Sequence, residues 1–156
     1  MNNRGDVLIF STLDGADIDI ENGIVKMTEG FETAVYLSLL GGNAEDDGTL
    51  ATKKKEWWGN KLESNNPEKK LTSRFNNIIT GLPATPANLK KIDEAAKQDL
   101  SWFISEKIVD KLEIDSNLSN KNRLDIKIIL WKDKEKLCET KYSINWEGQS
   151  RNGNKL

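Results

Sequence analysis

The chain has 156 residues, 37 % of them hydrophobic and 31 % charged, with a formal net charge of −2. That suits one domain with a modest core and a large polar surface, and the mixed charge leaves no electrostatic footprint for nucleic acid. Histidine is absent, which removes the commonest general base and metal ligand and excludes Ser-His and Cys-His catalysis.

The chain opens on Met1-Asn2-Asn3-Arg4-Gly5-Asp6, which lacks the apolar core of a signal peptide. Val7-Leu8-Ile9-Phe10 has strand composition, and Asp14-Gly15 signals a turn. Asp17-Ile18-Asp19-Ile20-Glu21 and Ile24-Val25-Lys26-Met27 flank Asn22-Gly23. Asn-Gly between alternating segments predicts a β-hairpin, because both turn positions need positive φ. Asp17, Asp19 and Glu21 then share one face, with Ile18 and Ile20 on the other. The spacing of these acids does not fit a calcium loop, so they read as a solvated hairpin face.

Thr28 is placed to cap a helix whose apolar face is Phe31, Ala34, Val35 and Leu39, widened by Tyr36 and Leu40. Gly41-Gly42 predicts its end, with glycine in the left-handed conformation. Glu32 suits helix-start charge, favourable with the dipole, better than catalysis. Asn43 to Leu50 is acidic and loop-like, and Ser64-Asn65-Asn66-Pro67 is another loop. Between them stand Trp57-Trp58-Gly59-Asn60 and the basic run Lys53-Lys54-Lys55. Two adjacent indoles do not both enter one core easily from a loop. One covering the core and one meeting a partner is an open arrangement, and exposed aromatics make effective interface anchors.

Leu71 to Thr80 predicts a short helix with Phe75, Ile78 and Ile79 on one side, broken by Gly81-Leu82-Pro83. Thr85-Pro86 starts the longest helix, with Thr as N-cap and Pro at the first position. Leu89, Ile92, Ala96, Leu100 and Phe103 recur on one face, beside Ala95 and Ile104. Three strands follow. Val109 to Ile114 alternates weakly. Leu124, Ile126, Ile128 and Leu130 alternate strongly, as do Cys138, Thr140, Tyr142, Ile144 and Trp146. The connectors, Ser116 to Asn122 and Lys132 to Lys136, are short enough for antiparallel neighbours. Cys138 is the only cysteine. It forms no intramolecular disulfide, points to a reducing compartment and reads as a buried structural thiol.

The expected class is α+β: an N-terminal β-hairpin, three helices of which one is long, and a C-terminal three-stranded antiparallel meander. One domain spans residues 5–146, and 147–156 is a polar tail expected to be disordered. No apolar run reaches the ~20 residues that cross a bilayer. The sequence carries no phosphate loop, dinucleotide fingerprint or nucleophile elbow. No pair of carboxylates stands in an apolar context of the kind a glycosidase acid requires.

Several stretches together carry a resemblance. They are Asp6-Val7-Leu8-Ile9-Phe10, Asp14-Gly15-Ala16-Asp17-Ile18, the glycine-flanked helix from Gly30-Phe31-Glu32-Thr33-Ala34 to Leu40-Gly41-Gly42-Asn43, and Trp57-Trp58-Gly59-Asn60. The end of the long helix, Ala95-Ala96-Lys97-Gln98-Asp99-Leu100-Ser101-Trp102-Phe103, and the alternating C-terminal sheet also fit. On these residues the chain resembles the Mu-like phage tail family of small baseplate proteins. That family is related to the lysozyme-like baseplate wedge and sheath-initiator proteins of contractile-tailed phages.

The resemblance implies a structural, non-enzymatic subunit of a phage or prophage tail baseplate, present in several copies and assembled in the bacterial cytoplasm. Its partners would be other baseplate subunits and the tail sheath protein, with no nucleic acid, membrane insertion, metal or cofactor. It implies joining to the first sheath ring by strand sharing, for which the candidate edge is Cys138 to Trp146. The candidate interaction residues are Trp57, Trp58, Gly59, Asn60, Cys138, Thr140, Tyr142, Ile144 and Trp146. Two other readings are a carbohydrate- or ligand-binding module stacking on Trp57 and Trp58, and a peptidoglycan hydrolase.

Overall fold

The structure is a computed structural model. It describes residues 6–12, 15–28, 30–41, 58–62, 65 and 73–146. Helices lie on one face of a C-terminal antiparallel sheet, with a small β arm at the N-terminal end, so the chain is α+β.

The sheet is the meander β7 (Lys111–Asn120), β8 (Arg123–Lys132) and β9 (Glu135–Asn145), in the order β7-β8-β9. Period-two alternation puts Leu124, Ile126, Ile128 and Leu130 of β8 on one face, all buried. Directly opposite them stand Leu118, Ser116, Ile114 and Leu112 of β7, and Ile144, Tyr142, Thr140 and Cys138 of β9. Direct cross-strand neighbours pack side by side, so the register fixes one continuous apolar face. The strands run further than the sequence suggests. The connectors shrink to Lys121-Asn122 and Asp133-Lys134. Asp133 and Lys134 both take positive φ, 49° and 68°, as a tight hairpin turn requires. The Asp110 carboxylate holds this turn by accepting from the Asp133 N–H at 2.8 Å and from Lys132 Nζ at 3.0 Å. These bonds, the Asp133 N–H foremost, keep the Asp110 carboxyl below its ordinary pKa.

Helices α1 (Glu32–Leu40), α2 (Arg74–Gly81) and α3 (Pro86–Asp99) cover that face. Their caps are local. Thr85 Oγ1 accepts the Asn88 N–H at 3.2 Å, and Ser73 Oγ accepts the Asn76 N–H at 3.1 Å. The Ser73 hydroxyl also donates to the Leu39 carbonyl, tying α2 to α1. Asp99, at the end of α3, accepts the Arg74 and Phe75 N–H groups at 3.0 and 2.8 Å. A carboxylate is favourable at a helix N-terminus, so the end of α3 supports the start of α2. The long helix stops at Asp99, and α4 (Trp102–Ser105) follows as one separate turn. That break buries Leu100 and Phe103 while leaving Ile104 45 % exposed. Phe31 packs edge-on to Phe103 with ring centroids 5.7 Å apart.

Two details of α1 differ from expectation. Gly41 is right-handed, φ −66°, and simply gives its N–H to the Leu37 carbonyl; Gly42 lies outside the described residues. Thr28 does not cap α1, whose first helical residue is Glu32. Its hydroxyl instead accepts the Gly30 N–H at 3.1 Å and donates to the Glu32 carboxylate.

The N-terminal arm holds the predicted hairpin, β4 (Ile20–Glu21) with β5 (Ile24–Val25), turned by Asn22 at φ 52° and Gly23 at φ 76°. Two further pairs flank it: β1 (Asp6–Val7) with β6 (Met27–Thr28), and β2 (Ile9–Thr12) with β3 (Gly15–Ile18). The three pairs meet at a closed ring of main-chain bonds. Leu8 N–H donates to Lys26 O at 2.9 Å, Lys26 N–H to Asp19 O at 2.8 Å, and Asp19 N–H to Leu8 O at 3.2 Å. Each of the three segments therefore changes partner at this junction. Thr33 fastens the arm to α1: its hydroxyl donates to the Val7 carbonyl at 2.5 Å and accepts the Ile9 N–H at 3.3 Å.

Thr33 is 2 % exposed, and Thr33→Val preserves its shape while removing both bonds. We expect hydrogen exchange at the Ile9 amide to quicken, with the helix-sheet core protected as before. A net loss of about 1–2 kcal/mol is the scale for two such bonds. Unchanged protection at Ile9 would show that Thr33 does not fasten the arm.

Candidate interaction surface

β9 is an outer strand of the meander, paired along its length with β8 on one side. Its other main-chain edge has no ladder partner among the described residues. An open edge presents unpaired N–H and C=O groups that can template another strand. Beside it runs a groove of about 680 Å³, lined by Leu8, Ile9 and Phe10 of the arm and by Glu139 to Ser143 of β9, with Glu32 and Arg123. The arm therefore stands across the groove from β9.

The side chains of β9 divide by face. Cys138, Thr140 and Trp146 are buried, and Tyr142 and Ile144 are half-buried against the same core. The Trp146 indole is a bolt: Nε1 donates to the Leu82 carbonyl at 2.6 Å, and the main-chain N–H donates to Asn122 O at 2.7 Å. Tyr142 meets Tyr36 edge-on with centroids 5.9 Å apart, and burial pushes its phenol pKa up. What β9 offers a partner is thus main chain and the outward side chains Glu139, Lys141 and Ser143. Glu139 is held below its ordinary pKa by Lys136 first, then by Lys141 and Lys127; its carboxylate lies 2.7 Å from Lys136 Nζ and 3.4 Å from Lys141 Nζ. On the same outer face, Ser143 Oγ accepts from Arg123 Nε at 2.6 Å.

The Cys138 thiol has a pKa pushed up to about 11, chiefly by burial, with the Glu32 charge adding to it and a Phe31 main-chain hydrogen bond opposing. The thiolate is the nucleophile, so Cys138 is inert near neutral pH. Thr140 Oγ1 is buried and has no well-formed hydrogen bond among the described residues, the Tyr142 phenol being its polar neighbour.

The other predicted interaction residues are separate from this surface in sequence. Trp57 lies outside the described residues. Trp58 and Gly59 begin a short 3₁₀ turn, Trp58–Lys61, in which Asn60 is buried, 1 % exposed. Sequence reasoning missed the arm as a wall of the groove. Its signal was present as two apolar runs either side of Asn22-Gly23, but the partner exchange at Leu8, Asp19 and Lys26 has no local signature.

Comparison with protein-family models, with curated proteins and with solved structures gave no match to this chain.

Two measurements check this description. Native Cys138 should resist alkylation near pH 8 and react only as pH approaches 11, while the unfolded chain reacts near the ordinary thiol value of 9.0. Because the folded thiol holds its proton more tightly, its contribution to stability is intact below pH 9.0 and is lost as pH rises toward 11. Rapid native alkylation at pH 8 would place the thiol at the surface. Thr140→Val should change stability by less than about 1 kcal/mol in urea unfolding, since the buried hydroxyl has no well-formed bond among the described residues; a larger loss would mean that the hydroxyl is bonded, as to Tyr142.

Proposed function

We propose that the chain is a structural subunit of a contractile phage or prophage tail baseplate. In this reading it joins the baseplate to the first sheath ring by protein contacts and strand sharing. The observation that carries the proposal is the open main-chain edge of β9 with a groove beside it. An added strand needs a row of free main-chain groups and about 4.7–4.9 Å of lateral room. The resemblance in the glycine-flanked helix and in Trp57-Trp58-Gly59-Asn60 supports the same reading.

In the proposed assembly β9 supplies main-chain hydrogen bonds, which are insensitive to the partner's side chains. Specificity comes from the charged face around it, where Glu139, Lys136, Lys141 and Lys127 form a linked set. Such rim charges steer encounter more than they add affinity. The helices keep the sheet rigid, and Trp146 fixes the far end of β9.

The test is co-expression with the sheath protein and neighbouring baseplate subunits from the same source, with sheath growth read by electron microscopy. Proline is placed singly at Glu139, Lys141 and Ser143, which lie outside the core. Where the replaced N–H points away from β8, the variant should fold and fail to start a sheath, because proline removes a donor from the free edge only. The strand-sharing reading fails if every folded proline variant nucleates sheath as the parent does. The baseplate reading itself fails if the parent chain neither joins these subunits nor promotes sheath growth.

A further inference from the structure

Phe10, Ile18, Ile20, Ile24, Val25 and Met27 all stand 40–72 % exposed, and all belong to the N-terminal arm. The register sorts them. Ile9 is opposite Ile18, Ile20 opposite Val25, and Met27 opposite Val7. Opposite residues share a face, and residues two apart along a strand do too. The three pairs therefore close into one apolar face around the junction of Leu8, Asp19 and Lys26. The other face carries the acids, with Lys26 Nζ 3.2 Å from Asp19 and 3.0 Å from Glu21, and it also holds Phe10, opposite Asp17, and Ile24, opposite Glu21. Val7, Ile9, Ile18, Ile20, Val25 and Met27 make up this face, and none of them belongs to the main core cluster. A contiguous apolar patch left open on a monomer marks an interaction site.

Charge narrows the occupant. Between positions 6 and 28, five acids stand against one lysine, and Asp6 and Asp17 have no cationic partner among the described residues. An anionic membrane surface would be repelled by this arm. A second copy would bring two acidic arms together. The remaining fit is a different protein whose own charge offsets the arm.

We propose that the apolar face of the arm docks an apolar segment of another protein, flanked by lysine or arginine. This interface is distinct from the β9 edge and does not rest on strand sharing. The three strand pairs present the apolar contact, and the acidic back face, one strand thick, draws in the basic flanks. The chain would then hold two partners at once, one on the meander and one on the arm.

The experiment places a photo-crosslinking amino acid, benzoylphenylalanine, at Ile20 of the full chain in its source host, with Leu137 as the exposed control position. Adducts are mapped by mass spectrometry, and the mapped segment is made as a peptide for titration against purified protein. The expected adduct is a non-self protein segment with apolar residues beside lysine or arginine. Ile20→Ser with Val25→Ser should weaken the peptide at least tenfold with unchanged circular dichroism. Asp17→Lys, on the back face, should weaken it about threefold or more at low salt, and it guards against a folding defect in the double variant. Adducts to a second copy, to lipid or to an acidic segment, no adduct above the Leu137 control, or a peptide indifferent to both variants would each overturn the proposal.

Discussion

The alternating aliphatic face of β8 is the constraint from which the rest of the fold follows. Leu124, Ile126, Ile128 and Leu130 are 0–2 % exposed, and burying each such side chain contributes about 1.5–3 kcal/mol. A three-stranded meander cannot cover its own face, so the helices must. Their apolar residues, Val35 and Leu39 of α1, Phe75, Ile78 and Ile79 of α2, and Ile92, Ala95 and Ala96 of α3, do so as one cluster. The same demand explains the break at Asp99. A straight continuation would carry Phe103 along a fixed helical course. The separate α4 turn sets Phe103 into the cluster and lets Ile104 face water.

Covering one face leaves the other face and both edges of the sheet. The outer face is a network of charges at the surface, Glu139 with three lysines among them. Such pairs contribute little to stability, so their arrangement is better understood as solubility and partner choice. The edges are the costlier exposure, since open strands invite unwanted pairing. The arm stands beside the β9 edge across the groove without pairing to it. This leaves the main-chain donors of β9 open to a strand of the right width while the arm restricts the approach.

Among the described residues, two threonines tie the arm to the body. Thr33 clasps Val7 and Ile9, and Thr28 clasps Glu32 and Gly30. Its own order comes from the cyclic bonds of Leu8, Asp19 and Lys26, since three two-stranded pairs would each be marginal alone. An element held by its own main chain, with an apolar face turned outward, contributes little to the core. Its composition answers to what it meets outside.

The sequence by itself determined the periodic elements. Asn22-Gly23 announced its hairpin because positive φ is a local requirement, and Thr85-Pro86 announced its helix because both residues act within one turn. The alternation in β8 and β9 announced a one-sided sheet, and with it the burial of Cys138. Strand ends were less legible. Ser116 and Asn117 look like loop residues, yet they continue β7, because Ser116 Oγ reaches Asp93 Oδ1 on α3 at 2.5 Å and β8 supplies the ladder. Tertiary structure alone decided that Trp146 is a buried bolt to Leu82, that Asp99 serves the helix before its own, and that Gly41 needs no left-handed turn. It alone also set the three strand pairs of the arm around one junction and turned their aliphatic face outward. Local preference fixes which residues alternate. Which strand each segment pairs with, and whether anything covers the face so formed, depends on contacts between residues far apart in the chain.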